Sequence, residues 1–196
     1  MRWILFDYGN VLSLAQPAAE AEAMARAVGA DPAAFLRGYW EHRLEFDRGS
    51  LTPAEYWAGA AGRPVSGADL DRLIAMDVAS WSHPDEGSLA ILRELLEQGR
   101  DVALLSNAPA CVADGLDKLP WVAAIPRRYY SARLGLVKPD PRIYAHVAAE
   151  LAADPADVLF VDDRADNVAG ARDAGMRAVQ YTDAAALRAF LESGGG

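Results

Sequence analysis

One cysteine, Cys111, stands in the chain of 196 residues, so no disulfide can close within it. That usage fits a reducing, cytoplasmic setting. Histidine is nearly as scarce. His42, His83 and His146 lie far apart, and none stands at ligand spacing from the cysteine or from another histidine, so no zinc site is expected. Neither Gly-x-Gly-x-x-Gly nor the Walker lysine motif occurs, which removes the two commonest nucleotide-phosphate loops. Basic residues are outnumbered, 19 Lys and Arg against 28 Asp and Glu, for a formal charge of −9. A chain of that sign has no electrostatic footprint for nucleic acid or an anionic membrane. No apolar run approaches the roughly 20 residues of a membrane span. The apolar start is broken by Asp7, short of the roughly 7–15 residues of a secretory core, so no signal peptide is expected.

What remains is an ordinary globular mixture, 52% hydrophobic and 24% charged. Its length suits one domain, or one domain carrying an insertion. Four short runs, 3–6, 102–105, 158–161 and 178–181, are apolar on successive residues, the mark of strands covered on both faces. Amphipathic segments at 89–97, 143–151, 168–174 and 184–192 alternate with them. Strand–helix alternation predicts an α/β fold with a doubly wound parallel sheet. The stretch 14–81 breaks the rhythm. Asp31-Pro32 reads as N-cap and first helical residue, Thr52-Pro53-Ala54-Glu55 as a capping box, and Gly29 and Gly49 as helix ends. Its aromatics, Phe35, Tyr39, Trp40, Phe46, Tyr56 and Trp57, are expected to form mostly its own core. The expected organisation is a sheet domain from 1–13 and 82–196, with an all-helical insertion at 14–81.

Polar residues follow the strands where ligands bind in open parallel sheets. Asp7 ends the first run. A carboxylate there can be a nucleophile or a metal ligand, or can be satisfied by turn amides. Gly9 and Asn10 supply a turn whose N–H groups could cradle an anion. Asp162-Asp163 end a later run. Adjacent acids repel unless a cation joins them, and Mg²⁺ takes one or two carboxylates with a substrate phosphate; the alternative is an acidic helix N-terminus. Asp166 and Asn167 follow in the first turn, to cap the helix or hold metal-bound water. Ser106-Asn107 can bind a phosphate oxygen at a helix N-terminus or simply cap that helix. Lys138 lies in a loop stiffened by Pro139 and Pro141, with Asp140 placed to cap the next helix. Its charge can neutralise phosphate and carboxylates.

In this order the set resembles the haloacid dehalogenase-like (HAD) hydrolase superfamily over essentially the whole chain. The family's first motif looks like Asp7-Tyr8-Gly9-Asn10-Val11, its second like Ser106, its third like Lys138. Its fourth looks like Asp162-Asp163 with Asp166-Asn167-Val168-Ala169-Gly170-Ala171 and Gly175-Met176. The resemblance implies a Rossmann-like core with the insertion as a small helical cap. It implies Mg²⁺ as cofactor, held by Asp7, the Gly9 carbonyl, Asp163, and Asp162 directly or through water. Asp7 would be the nucleophile. Tyr8, Gly9, Ser106, Asn107 and Lys138 would meet the phosphate. Tyr39, Trp40, Arg43 and Trp57 are the cap's candidates for reading the leaving group.

One departure stands out. Phosphatases of this superfamily carry a second aspartate two residues after the first, as general acid and base; here the position is Gly9. Such help is typically worth 10²–10⁴-fold. A stabilised leaving group, such as a sugar 1-phosphate or an acyl phosphate, could dispense with it. Another residue or water could replace it, with Asn10 and the cap nearby, or turnover could be lost. The Asp-x-Gly-Asn-Val form with paired acids looks like a branch that includes bacterial glucose-1-phosphatases. The expected function is a Mg²⁺-dependent phosphatase of a small phosphorylated metabolite, such as a sugar phosphate, in a monomer or weak homodimer. The rivals are a 2-haloacid dehalogenase, which has no reason to keep two adjacent acids, and a non-catalytic regulator that binds a phosphorylated ligand.

Overall fold

A computed structural model describes residues 2–194. Five strands make one parallel sheet: β1 (Trp3–Phe6), β2 (Asp101–Ser106), β3 (Arg127–Tyr130), β4 (Val158–Asp162) and β5 (Arg177–Gln180). Their order is β3-β2-β1-β4-β5. The chain builds outward from β1 to one edge, then returns to the other side of β1. The reversal puts the binding crevice of such a sheet beyond the carboxyl ends of β1 and β4.

The continuous apolar runs are explained by burial on both sides. Ile4, Phe6, Val102, Leu104, Leu159 and Val161 pack toward one face. They meet α6 (Glu86–Glu97), α7 (Ala110–Leu116) and α12 (Ala184–Glu192) through Leu89, Leu92, Val112 and Leu187. The residues between them, Trp3, Leu5, Ala103, Leu105, Val158 and Phe160, point the other way. There they meet α10 (Pro141–Glu150) and α11 (Ala165–Asp173) through Ile143, Val147 and Ala171. Local chemistry sets the starts. Asp85 accepts from Ser88 N, Asp140 from Arg142 N and Asp183 from Ala186 N, so α6, α10 and α12 begin at their caps.

β3 escaped the sequence reading, which found four strands. Arg127-Arg128-Tyr129-Tyr130 has no apolar run because it is an edge strand. Arg128 donates through Nε to Asp117 at 2.7 Å, and the Tyr130 hydroxyl donates to the same carboxylate at 2.9 Å.

Between β1 and α6 lie five helices: α1 (Ala18–Ala27), α2 (Pro32–Glu41), α3 (Arg43–Arg48), α4 (Pro53–Ala61) and α5 (Gly67–Ser80). No strand interrupts them. Thr52 and Glu55 form the capping box of α4, and Gly49 ends α3 at φ +80. The five helices bury a core of their own around Met24, Phe35, Tyr39, Phe46, Tyr56 and Trp57. The two chain segments that join them to the sheet run side by side, Leu14 N donating to His83 O and Asp85 N to Leu12 O. Two glycines let the helices seat closely. At Gly115 of α7 a Cβ would come within 2.6 Å of Val78 of α5. At Gly49 it would lie 3.0 Å from the carbonyl oxygen of Ala132, in α9 (Ser131–Leu134), which follows the short α8 (Pro120–Ala123) and β3.

Candidate active site

The centre of the site is a buried lysine between two carboxylates. Lys138 Nζ lies 2.6 Å from Asp7 Oδ1 and 2.7 Å from Asp162 Oδ2. Asp7 leaves β1 and Asp162 ends β4, so neighbouring parallel strands deliver the two acids side by side. Asp162 is fully buried. Besides Lys138 it accepts from Asn167 Nδ2 at 3.0 and 3.1 Å and from the Arg164 amide at 2.9 Å. Asp163 is half open and accepts from Asn10 Nδ2 at 3.1 Å. Asn10 reaches it from a left-handed backbone conformation, φ +58, that asparagine tolerates better than most residues.

Asp7, Asp162 and Asp163 each place one oxygen within 4.8 Å of the others. Burial pushes the Asp7 carboxyl up to about 7, and Asp162 adds to the push, against the pull of Lys138. Burial and then Asp162 also raise Asp163. Lys138 itself is raised: burial opposes its charge, and the Asp7 and Asp162 carboxylates outweigh that. Three acids crowd one place with one ammonium among them, an excess of negative charge made only of hard oxygen donors. That donor set fits a Mg²⁺ ion.

The crevice in front of these acids has a volume of about 540 Å³. Asp7, Tyr8, Gly9, Ser106, Asn107, Lys138 and Asp163 line it, as do Trp40 and Arg43 of the helical insertion. The geometry corrects two sequence assignments, Tyr39 and Trp57, and keeps Asn107 and Tyr8 at the crevice with polar groups already engaged. Tyr39 and Trp57 are fully buried inside the insertion and do not reach the crevice. The Tyr39 hydroxyl is spent on Asp77 Oδ1, 2.6 Å away, and Trp57 packs against Phe35 and Tyr56. The Asn107 side chain is committed to the Lys138 backbone at both ends. The Tyr8 amide donates to Asp7 Oδ1 at 2.7 Å, so it orients that carboxylate.

Other wall residues went unread. Trp81 lies against Gly9, where a Cβ would meet the indole at 3.4 Å. Leu44, Val112 and Leu116 extend an apolar wall from Trp40 and Trp81. Asp47 lines the same space from α3. Its one sequence signal is its spacing from Arg43, the i,i+4 pair of a surface helix.

The chain is 27% identical to a sesquiterpene phosphatase of Aspergillus oryzae, over 93% of this chain and 90% of that protein. It is 29% identical to a flavin mononucleotide hydrolase of Arabidopsis thaliana, over 74% of this chain and 58% of that longer protein. A HAD family enzyme of Bacteroides thetaiotaomicron, crystallised with magnesium and inorganic phosphate, shares the fold. Its TM-score is 0.71 at 24% identity, over 93% of this chain and 94% of that one. An L-2-haloacid dehalogenase of Xanthobacter autotrophicus does so at 0.71 and 21%, over 98% and 83%. Residues 1–175, nearly the whole molecule and all of the crevice, match the haloacid dehalogenase-like hydrolases, and the chain belongs to that family.

Proposed function

We propose that this protein is a Mg²⁺-dependent phosphomonoesterase acting on a small phosphorylated metabolite through an aspartyl phosphate on Asp7. The observation that carries the reading is the Asp7–Asp162–Asp163 cluster around one buried lysine. A haloalkane carboxylate needs no such concentration of acids. Asp7, Asp163 and the Gly9 carbonyl would hold the ion at the crevice, with Asp162 beneath, anchoring Lys138. Bound there, Mg²⁺ supplies charge neutralisation between a carboxylate and a phosphate dianion.

The chain's own residues then account for the chemistry. The Asp7 carboxylate attacks phosphorus in line. A P–O bond to Asp7 forms, the ester P–O bond breaks, and the leaving oxygen departs with the bonding electron pair. The Lys138 ammonium, the Ser106 hydroxyl and the Gly9 amide stabilise the equatorial oxygens. Water attacks phosphorus in the acyl phosphate, inorganic phosphate leaves, and the carboxylate is restored. The helices of 14–81 act as the cap that excludes bulk water.

The apolar wall of Trp40, Leu44, Trp81, Val112 and Leu116 supports a leaving group with an apolar or planar body over the sugar phosphate expected from sequence. The names of the sesquiterpene phosphatase and the flavin mononucleotide hydrolase agree with that reading. The test is phosphate release from 4-nitrophenyl phosphate. Activity with Mg²⁺ that is lost with EDTA and in Asp7→Asn supports it. Activity that survives either change overturns it, and chloride release from 2-chloropropionate would replace it with the dehalogenase reading.

A further inference from the structure

The position where this family's phosphatases carry their proton donor is Gly9, and Trp81 occupies the adjoining space. The wall of the crevice nevertheless holds four acids: Asp7, Asp47, Asp163 and Asp166. Asp7 and Asp163 belong to the cation cluster. Asp166 is paired with the Arg164 guanidinium at 2.7 Å, and that bond lowers its carboxyl. Asp47 is paired too, with Arg43, but unlike the exposed Asp166 it is buried, and it is the acid left for proton transfer.

Its placement is fixed from two sides. Within α3, Asp47 Oδ1 accepts from Arg43 Nε at 2.9 Å. Arg43 Nη1 is held in turn by Asp77 Oδ2 at 3.1 Å and by the Tyr39 hydroxyl at 2.6 Å. The same hydroxyl accepts from Trp81 Nε1 at 3.2 Å, so one network fixes both the indole over Gly9 and the arm that steadies Asp47. From the sheet side, Ser131 Oγ donates to the Asp47 carbonyl and accepts from the Ala108 amide. Ala108 follows Ser106-Asn107, the end of β2 beside Asp7. An acid tied to that strand end keeps its register with the nucleophile.

We propose that Asp47 is the general acid and base of this enzyme, supplied from the helical insertion in place of the aspartate missing at position 9. As the ester P–O bond breaks, the Asp47 carboxyl gives its proton to the departing oxygen and becomes a carboxylate. It then takes a proton from the water that attacks the acyl phosphate, and the cycle closes. Burial holds the Asp47 carboxyl up at about 6, against the pull of Arg43. Asp77 of α5 adds to the rise, and Lys138, in the loop ahead of α10, opposes it. Tyr39 of α2 faces the group through Arg43. A donor near the working pH is what proton transfer requires.

The inference rests on the phosphatase reading, so the experiment separates the two. With Mg²⁺ present, kcat/KM is measured against pH for benzyl phosphate, whose alkoxide leaves poorly, and 4-nitrophenyl phosphate, whose phenolate leaves well. Asp47→Asn is expected to lower the benzyl to nitrophenyl ratio by about 10²-fold or more. In the wild type the ratio should fall above pH about 6, where the carboxyl ionises. Equal losses on both esters, as a structural role would give, overturn the assignment. Should Asp47→Asn fail to fold, parallel wild-type profiles overturn it equally. Wild-type protein that turns over neither ester refutes the phosphatase reading itself.

Discussion

The side-chain amide of Asn107 is bound at both ends to the backbone of one residue, Lys138. Oδ1 accepts from the Lys138 amide at 2.9 Å and Nδ2 donates to its carbonyl at 3.0 Å. The loop that carries the lysine is thereby tied to the end of β2. Asn107→Ala removes both bonds, each worth about 0.5–1.5 kcal/mol net. We expect a loss of about 1–3 kcal/mol in urea unfolding, from those two bonds. Phosphate release should fall further than the unfolded fraction explains, because the ammonium loses its register with Asp7. A stability loss with full activity in the folded fraction would limit Asn107 to a structural bond.

Lys138 is the cation that lets Asp7 and Asp162 be buried together. Lys138→Met leaves both acids without it, and breaking a buried pair from one side costs about 3–5 kcal/mol. The sign of its pH dependence follows. With the ammonium gone, its pull on Asp7 is lost and burial raises that carboxyl further in the folded state. The folded protein then binds protons that the unfolded chain has released. Above the ordinary Asp value of 3.8, the variant should lose stability with rising pH more steeply than the wild type. Urea midpoints at pH 5 and pH 8 measure the contrast; equal slopes for the two proteins contradict it.

Gly170 of α11 touches the same loop from the other side. A Cβ there would stand 2.5 Å from the Pro139 carbonyl oxygen and 3.2 Å from the Tyr144 ring. The obstacle is backbone, so the loop itself must move. Gly170→Ala should cost about 1–3 kcal/mol in overpacking, against a helix-propensity gain of about 1 kcal/mol. Its larger effect is expected on kcat, since Pro139 adjoins Lys138. Unchanged kcat would mean that the loop yields without carrying the lysine along.

These contacts mark how much was readable beforehand. Asp7, Asp162 and Lys138 declared themselves because each interrupts a pattern: a carboxylate after an apolar run, a lysine just ahead of two prolines. Parallel pairing of β1 and β4 then brings the acids together. Arg127-Arg128 hid β3, since an edge strand needs no apolar run. Asp47 was illegible for a different reason. Four residues from Arg43, it reads as a solvated ion pair, yet it is buried in the fold, where α3 packs against α9. Tyr39 erred in the opposite direction. An aromatic with a polar tip suits a pocket, yet Asp77 and Arg43 draw that tip into the insertion's interior.

Mg²⁺ should stabilise the protein in a pH-dependent way. Without the ion, burial holds the Asp7 carboxyl up at about 7 and raises Asp163. From the ordinary Asp value of 3.8 to about 7, the folded state retains a proton at Asp7 that the unfolded chain has lost. This group's contribution to stability therefore falls as pH rises through that window. The ion binds deprotonated carboxylates, so its affinity rises over the same window. Thermal unfolding with and without Mg²⁺ should show a small gain at pH 5 and a larger one at pH 8. At a hundredfold excess over Kd the gain approaches about 2.7 kcal/mol. Asp163→Asn should abolish most of it at both pH values, since that side chain faces the crevice while Asp162 stays closed over by Lys138 and Asn167. A gain of the same size at both pH values, or one that survives Asp163→Asn, would place the ion elsewhere and remove the charge argument for attack by Asp7.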